Sequence, residues 1–192
     1  MDHRNLTPYE PRGLPVRRGT KNELHLQYLE KEDKEAFSID GKMDVDAIFT
    51  VVKRAVRETL NEERSGLGLA FSNLPWNVGA LWEIWGNYIV MNEELINVMK
   101  HLTKSDREFN SVVFMLLTHE YIHSLGYIDE RRTRLMTSIV ANFTFGPEHP
   151  ASIISRGDLW QIYPQIRELK GGKGDKLKFI MKFDSSATSY IA

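Results

Sequence analysis

The residue types best suited to chemistry lie together at positions 119–130, which read His-Glu-Tyr-Ile-His-Ser-Leu-Gly-Tyr-Ile-Asp-Glu. On a helix, His119 and His123 stand at i and i+4, so both imidazoles project from one face about 6 Å apart. Zinc takes imidazole nitrogen at about 2.0–2.1 Å, so rings on adjacent turns can share one ion. Glu120 stands where a carboxylate can act on a water beside that ion. The spacing therefore predicts a hydrolytic Zn²⁺ site.

The third ligand is predicted to be a carboxylate just beyond this helix. Gly126 permits a positive φ and can end the helix, and Asp129 follows three residues later. Asp129 is therefore the expected third ligand, while Glu130 would serve instead if the chain turned differently. Either residue could also begin a following helix, predicted over 130–143, because acidic residues favour a helix start. The more distant candidates are two histidines that suit a helix end and a loop, His101 and His149.

This stretch resembles the metzincin-like pattern H-E-x-x-H-x-x-G-x-x-(H/D) of the zincin metallopeptidases. The match is carried by His119, Glu120, His123, Gly126 and Asp129 and is confined to this stretch. The resemblance implies a zincin-like domain in which His119, His123 and Asp129 hold zinc. It also implies that Glu120 is the catalytic general base of a peptidase acting on peptide or protein substrates.

The resemblance to true metzincins has two departures. Most of that group has a third histidine where this chain has Asp129. Metzincins also carry a methionine in a tight turn beneath the metal, well downstream, whereas Met136 comes only seven residues after Asp129. Met136 falls within the predicted next helix and is interpreted as an ordinary core residue.

Two other functional classes remain open. A ribosomal-RNA maturation family carries the motif H-G-x-x-H-x-x-G-Y-D-H, which Gly126 and Tyr127 match and Glu120 does not, while Asp129 falls at its third ligand position. This alternative makes the protein a metal-dependent RNA-processing hydrolase. The second alternative is a non-catalytic, zinc-stabilised interaction module with a sealed site. Such a module has no need of a base at Glu120.

Elements before and around the motif predict an α+β fold in which a mixed, mostly antiparallel sheet packs on two helices. One helix, predicted over 44–62, has an apolar stripe at helical spacing. The other, predicted over 106–125, begins at a capping box formed by Ser105 and Glu108 and carries the motif. The predicted strands cover 23–29, 36–39, 66–71, 80–85 and 88–91, with Gly86-Asn87 as a two-residue hairpin turn.

One strand in zincin domains usually borders the cleft, and the resemblance implies this place for the hairpin at 80–91, with Trp82 and Trp85 as candidate pocket residues. A free strand edge there could hold an extended peptide. The oxyanion formed during hydrolysis would need a stabiliser besides zinc. Four residues are candidates for this role, Tyr88, Tyr127, Arg131 and Arg132.

The chain is predicted to contain one catalytic domain at 21–170. Residues 1–20 hold three prolines and four arginines and are interpreted as a flexible arm. Residues 171–192 are predicted to form a glycine hinge and a strand in which Leu177, Phe179, Met181 and Phe183 alternate with polar residues. This strand should join the sheet, cover the cleft or pair with a second copy in a homo-oligomer.

Composition narrows the classes of partner and cofactor. The net charge of −1 gives no reason to expect nucleic acid or an anionic membrane as the main partner. With no cysteine in the chain, zinc must be held by nitrogen and oxygen. Neither an apolar leader nor a stretch of 18 apolar residues is evident, which predicts a cytoplasmic protein.

Overall fold

The computed structural model describes residues 37–168 and 177–181 of the chain. The helices are α1 (Val45–Leu60), α2 (Glu93–Leu102), α3 (Asp106–Ser124), α4 (Glu130–Phe145), α5 (Pro150–Arg156) and α6 (Leu159–Ile162), followed by a 3₁₀ turn at Pro164–Glu168. The strands are β1 (Gly68–Ser72), β2 (Ala80–Trp82), β3 (Tyr88–Asn92) and β4 (Lys178–Met181). The predicted arm at 1–20 and strand at 23–29 lie outside the described residues, as does most of 171–192.

The four strands form one mixed sheet with the order β2-β3-β1-β4. The central pair, β1 and β3, is parallel, and both outer pairs are antiparallel. The fold is thus α+β with a mostly antiparallel sheet, as predicted. Strand β4 joins the sheet beside β1, which is one of the three placements expected for the C-terminal strand. Among the described strands, β2 lies at the opposite end and pairs with β3 alone.

The core is built between the sheet and the two helices α1 and α3. Helix α1 buries the apolar residues spaced along one face, among them Phe49, whose ring meets Tyr121 of α3 edge-on at 5.8 Å. Burying a side chain of this size contributes about 1.5–3 kcal/mol. The Tyr121 hydroxyl is satisfied by the backbone of Arg64, from whose amide it accepts at 2.8 Å. This packing fixes the helix that carries the motif.

Helix α3 begins and ends close to the positions predicted for it. The Ser105 hydroxyl accepts from the Glu108 amide at 3.2 Å, while the Glu108 carboxylate accepts from the Lys104 amide at 2.7 Å. The capping box is therefore present with its return contact shifted by one residue. At the other end Gly126 has φ +100°, a conformation that L side chains rarely adopt. The chain can then turn sharply from α3 into α4.

The loop between β1 and β2 is held by the side chain of Asn92. Its carboxamide accepts from the Leu95 amide at the start of α2 and donates to the carbonyl oxygens of Leu74, Pro75 and Val78 at 2.9–3.2 Å. Asn92 is 1% exposed, so these contacts satisfy a buried polar group. The loop is thereby fixed at one wall of the cleft.

Two predicted β features are wrong in detail. Residues 37–39 form no strand, although Phe37 and Ile39 are buried, so the apolar pattern there reflects core packing of a loop. Strand β2 ends at Trp82 rather than Trp85, which leaves a five-residue loop, not a two-residue turn. The loop is closed by the indole of Trp82, which donates to the Gly86 carbonyl at 2.8 Å.

Within the described ranges no helix is long and apolar enough to cross a bilayer.

Candidate metal centre

The two motif histidines present their Nε2 atoms to each other from the last turns of α3. These nitrogens lie 3.1 Å apart, and the ring centroids lie 4.7 Å apart. Ligands arranged tetrahedrally at about 2.0–2.1 Å from zinc stand about 3.3–3.4 Å from one another. His119 and His123 therefore lie side by side on one face of α3, and the separation of their Nε2 atoms suits a shared ion.

The third donor beside the histidines is Glu130. Its Oε2 lies 3.3 Å from Nε2 of His123 and 3.4 Å from Nε2 of His119. The three atoms thus form a nearly equilateral triangle with the edge length of a zinc tetrahedron. Among the described residues, this is the one group of three or more His, Asp or Glu side chains close enough to hold an ion together.

Asp129, the third ligand expected from the spacing, is not part of this group. It is the N-cap of α4, and its Oδ1 accepts from the Arg132 amide at 2.8 Å. A helix start leaves amide groups without partners, and a short acidic side chain satisfies one of them well. The longer side chain of Glu130, the alternative left open by the sequence, reaches back to the histidines instead.

The orientation of the His123 ring is set by the backbone just after the Gly126 turn. Its Nδ1 lies 2.7 Å from the carbonyl oxygen of Tyr127. A carbonyl only accepts, so Nδ1 carries the hydrogen and Nε2 keeps its lone pair for a ligand. The hydroxyl of Thr133 donates to the same carbonyl at 2.7 Å and holds it in place. Outer contacts of this type align metal-bound histidines.

Electrostatics leave His119 and Glu130 in their ligand forms at neutral pH. Burial lowers the pKa of His119 to about 4 despite the opposing effect of Glu130, so its imidazole is neutral. Burial raises the pKa of Glu130, but a hydrogen bond from Arg134 and the nearby His119 outweigh it and leave a net lowering. Glu130 is therefore a carboxylate. Neutral imidazole and carboxylate are the states that coordinate zinc.

Glu120 points into the same cleft and is held by the edge of the sheet. Its Oε2 accepts from the backbone amide of Trp82 in β2 at 2.9 Å. Burial raises the pKa of Glu120 to about 7, with the Trp82 hydrogen bond opposing the rise. A carboxylate with this pKa can both accept and release a proton near neutral pH. The residue predicted as general base thus lies within the candidate site.

A cleft of about 460 Å³ opens over these side chains, between β2 and the helices α3, α4 and α6. Its floor carries the donor group and Glu120. Apolar residues make up much of the wall, including Val78, Leu81, Met115, Leu116, Ile128 and Leu159. Arg134 is the one Lys or Arg side chain among the lining residues. The cleft therefore combines a polar floor with apolar walls.

Several sequence candidates lie elsewhere. Tyr127 donates its hydroxyl to Glu62, Tyr88 meets Phe179 edge-on, and Arg132 lies over the Tyr127 ring. Together with Arg131, these oxyanion candidates are outside the cleft lining. Arg134 lines the cleft and was missed. The sequence contained a signal for it. Arg134 comes four residues after Glu130, and an acidic and a basic side chain with this spacing are neighbours on a helix.

The other residues that the sequence singled out make contacts away from the donor group, except Trp82. His101 contacts the Asn97 carbonyl on its own helix, and His149 caps α5 through Nδ1, which accepts from the Ala151 amide at 3.1 Å. Met136 is buried in the core, as predicted. Trp82 lines the cleft, whereas Trp85 is 90% exposed and does not.

Comparisons with models of protein families, with curated proteins and with solved structures find no match for this chain. Any functional assignment therefore depends on the chemistry of the cleft itself.

Proposed function

We propose that this protein is a zinc-dependent peptidase with a zincin-like catalytic domain. The observation that carries the proposal is the triangle of donor atoms on His119, His123 and Glu130, with edges of 3.1–3.4 Å, beside a half-buried carboxylate on Glu120. Structural zinc sites are closed by four protein ligands, whereas catalytic sites have three and keep one position open. Three donors at the floor of an open cleft are the catalytic arrangement.

The residues present fit zinc by donor type as well as by distance. Two neutral imidazoles and one carboxylate form a known class of catalytic zinc ligand set. Bound zinc would supply acidification of a water and polarisation of a substrate carbonyl. The tautomer of His123 is set by the Tyr127 carbonyl, so its Nε2 needs no rearrangement before binding.

Glu120 serves as the general base of the proposed reaction. Its Oε2 is held by the Trp82 amide, so Oε1 is the oxygen that takes a proton from the attacking water. The water oxygen forms a bond to the peptide carbonyl carbon, and the C–N bond breaks as Glu120 passes the proton to the leaving amine. General acid–base catalysis of this kind contributes about 10²–10⁴-fold to rate.

The proposed substrate is an extended peptide lying along β2. Within the part of the chain that the structure describes, this strand lies at the end of the sheet, and its residues line the cleft beside the donor group. Strand addition supplies backbone hydrogen bonds to a peptide, and apolar walls accept its side chains. A peptide-like inhibitor should therefore shift the backbone amide resonances of residues 80–91. Binding that leaves those resonances unchanged would contradict this mode.

The alternative functions have less support from the cleft. A sealed interaction module would need a fourth protein ligand, and the described residues supply three. An RNA hydrolase would need cations to attract phosphate. The cleft lining contains Arg134 as its single Lys or Arg, against the acidic residues Glu120, Glu130 and Asp158.

The proposal is tested by zinc content and peptide turnover measured on the same preparations. The untagged protein should contain about one zinc per chain and cleave members of a peptide library. Glu120→Gln should retain zinc and lose about 10²–10⁴-fold in kcat/KM. Glu148→Gln, which removes an exposed carboxylate far from the motif in sequence, is the matched control and should keep full turnover. Unchanged turnover in Glu120→Gln would remove Glu120 from the mechanism, and absence of zinc would refute the metal site.

A further inference from the structure

We propose that Arg134 is a positioning residue that holds the carboxylate of Glu130 in its metal-binding orientation. The inference rests on the metal site of the proposed function, and it assigns a role to a residue outside the donor group.

The inference depends on the two oxygens of the Glu130 carboxylate, which have different partners. Oε1 accepts from Nε of Arg134 at 2.8 Å, while Oε2 faces the Nε2 atoms of His119 and His123 at 3.4 and 3.3 Å. A carboxylate is planar, so a hydrogen bond that fixes one oxygen also fixes the direction of the other. Arg134 thus sets where the ligand oxygen points.

Glu130 needs such a partner more than the histidines do. Its side chain is 53% exposed, whereas those of His119 and His123 are 17% and 18% exposed. Surrounding atoms restrict the histidine rotamers, while a half-exposed glutamate loses much conformational freedom when it is ordered. A partner that orders the side chain before an ion arrives lowers the cost of binding.

The contact is expected to influence metal affinity more than folding. Arg134 is 64% exposed and stands four residues after Glu130 on α4. Ion pairs with this spacing on an exposed helix face stabilise the fold only slightly. Removal of outer contacts to metal ligands, in contrast, typically weakens metal binding by about 10–100-fold. Exposure places the expected effect of Arg134 at the lower end of this range.

The positive charge of Arg134 acts in the opposite direction. A cation close to the donor group repels a dication, so loss of the charge alone would tighten metal binding. Salt screens this repulsion at exposed positions but does not restore a lost hydrogen bond. The two effects of Arg134 can therefore be separated by salt and by the presence of Glu130.

The test is a double-mutant cycle on zinc affinity. The zinc Kd is measured by competition with a chromophoric chelator for the wild-type chain, Arg134→Met, Glu130→Gln and the double variant, at low and high salt. Methionine keeps the unbranched stem and the helix propensity of arginine. Arg131→Met removes an exposed cation three residues earlier on α4 and is the matched charge control. Circular dichroism melting shows that each variant is folded.

A positioning role predicts opposite behaviour in the two backgrounds. Arg134→Met should raise the zinc Kd about tenfold at high salt when Glu130 is present. In the Glu130→Gln background the same substitution should leave the Kd unchanged or lower it slightly, because no carboxylate ligand is left to orient while the repulsion remains. Cobalt-substituted Arg134→Met should also show a visible absorption spectrum displaced toward that of Glu130→Gln, since the carboxylate ligand is less well held.

Other outcomes overturn the inference. Equal weakening in both backgrounds would mean a general structural effect, and tightening in both would mean that only the charge matters. A wild-type chain that binds zinc with the same Kd as Arg134→Met refutes the inference alone. A wild-type chain that binds zinc but cleaves no peptide refutes the peptidase proposal while the cycle still decides the role of Arg134. Failure of the wild-type chain to bind zinc refutes both.

Discussion

Two histidines in different parts of the molecule have nearly the same pKa and opposite surroundings. Burial lowers the pKa of both His119, in the cleft, and His149, at the start of α5, to about 4. The free nitrogen of His119 faces two further donor atoms. The ring of His149 is stacked on Phe145 at 4.5 Å, and its Nδ1 is occupied by the Ala151 amide.

Burial and a shifted pKa therefore do not by themselves identify a functional histidine. Both residues have a strongly shifted pKa, and such shifts are common at functional sites. What separates them is the direction of their lone pairs. At the cleft the Nε2 atoms of His119 and His123 and Oε2 of Glu130 converge, whereas at α5 Nδ1 of His149 completes a helix cap. Convergence of donors is therefore the more informative criterion here.

The largest effect expected from this comparison is on metal binding. His123→Ala removes one of three donors and should weaken zinc binding by well over the roughly 100-fold that outer contacts account for. His149→Asn should leave the zinc Kd unchanged, since its ring is committed to the α5 cap. Equilibrium competition titrations measure both. Equal zinc affinities for wild type and His123→Ala would mean that the converging donors do not bind zinc.

The next effect is stabilisation of the fold by zinc. A ligand that binds only the native state at 1,000 times its Kd adds about 4 kcal/mol to the free energy of unfolding. For a chain of this length, that corresponds to a rise in Tm of roughly 10 °C. We expect the rise in wild type and in His149→Asn, and none in His123→Ala. Calorimetry with and without zinc provides the measurement.

A smaller effect is the dependence of stability on pH that His149 contributes. Its folded pKa of about 4 is below the ordinary value of 6.5, because burial and Arg107 oppose its charge more than Asp40 favours it. The unfolded chain then binds a proton first as the pH falls. Stability from this residue is full above pH 6.5 and is lost progressively toward pH 4, by at most about 3 kcal/mol.

His149→Asn tests this prediction because asparagine is also a favourable N-cap and does not titrate in this range. Urea unfolding at a series of pH values should show a smaller loss of stability between pH 6.5 and 4 in the variant than in wild type. Identical slopes would mean that His149 keeps an ordinary pKa in the folded protein. His119 and His123 are present in both proteins, so their contribution to the pH dependence of stability cancels in the difference.

The smallest effect is expected at Thr133, which acts on His123 through the Tyr127 carbonyl. Thr133→Val removes the hydroxyl at 2.7 Å from that carbonyl and keeps the side-chain shape. We expect a loss of about 1 kcal/mol in stability and a rise of several-fold in the zinc Kd. Thr137→Val, whose hydroxyl donates one turn later to the Thr133 carbonyl, should lose similar stability without the change in Kd. Equal Kd changes in both variants would contradict the role of Thr133.

Much of the site could be predicted because its first parts are local. The spacing of His119 and His123 sets their side chains on one helix face, and Gly126 ends that helix through its own conformational freedom. The cap at Ser105 depends on a residue three positions later and is present. By contrast, the buried pattern at 37–39 and the length of the β2–β3 loop were misjudged because packing, not local pairing, decides them.

Local sequence therefore predicts the paired histidines, the position of Glu120 between them and the turn that follows, since each depends on contacts within about one helical turn. Tertiary structure alone decided that Asp129 caps α4 while Glu130 reaches the histidines, because both carboxylates compete for the same turn and their side-chain lengths resolve it. It also decided that the Trp82 amide holds Glu120 across a separation of 38 residues. Such a contact exists only once β2 lies against α3, which no local pattern encodes.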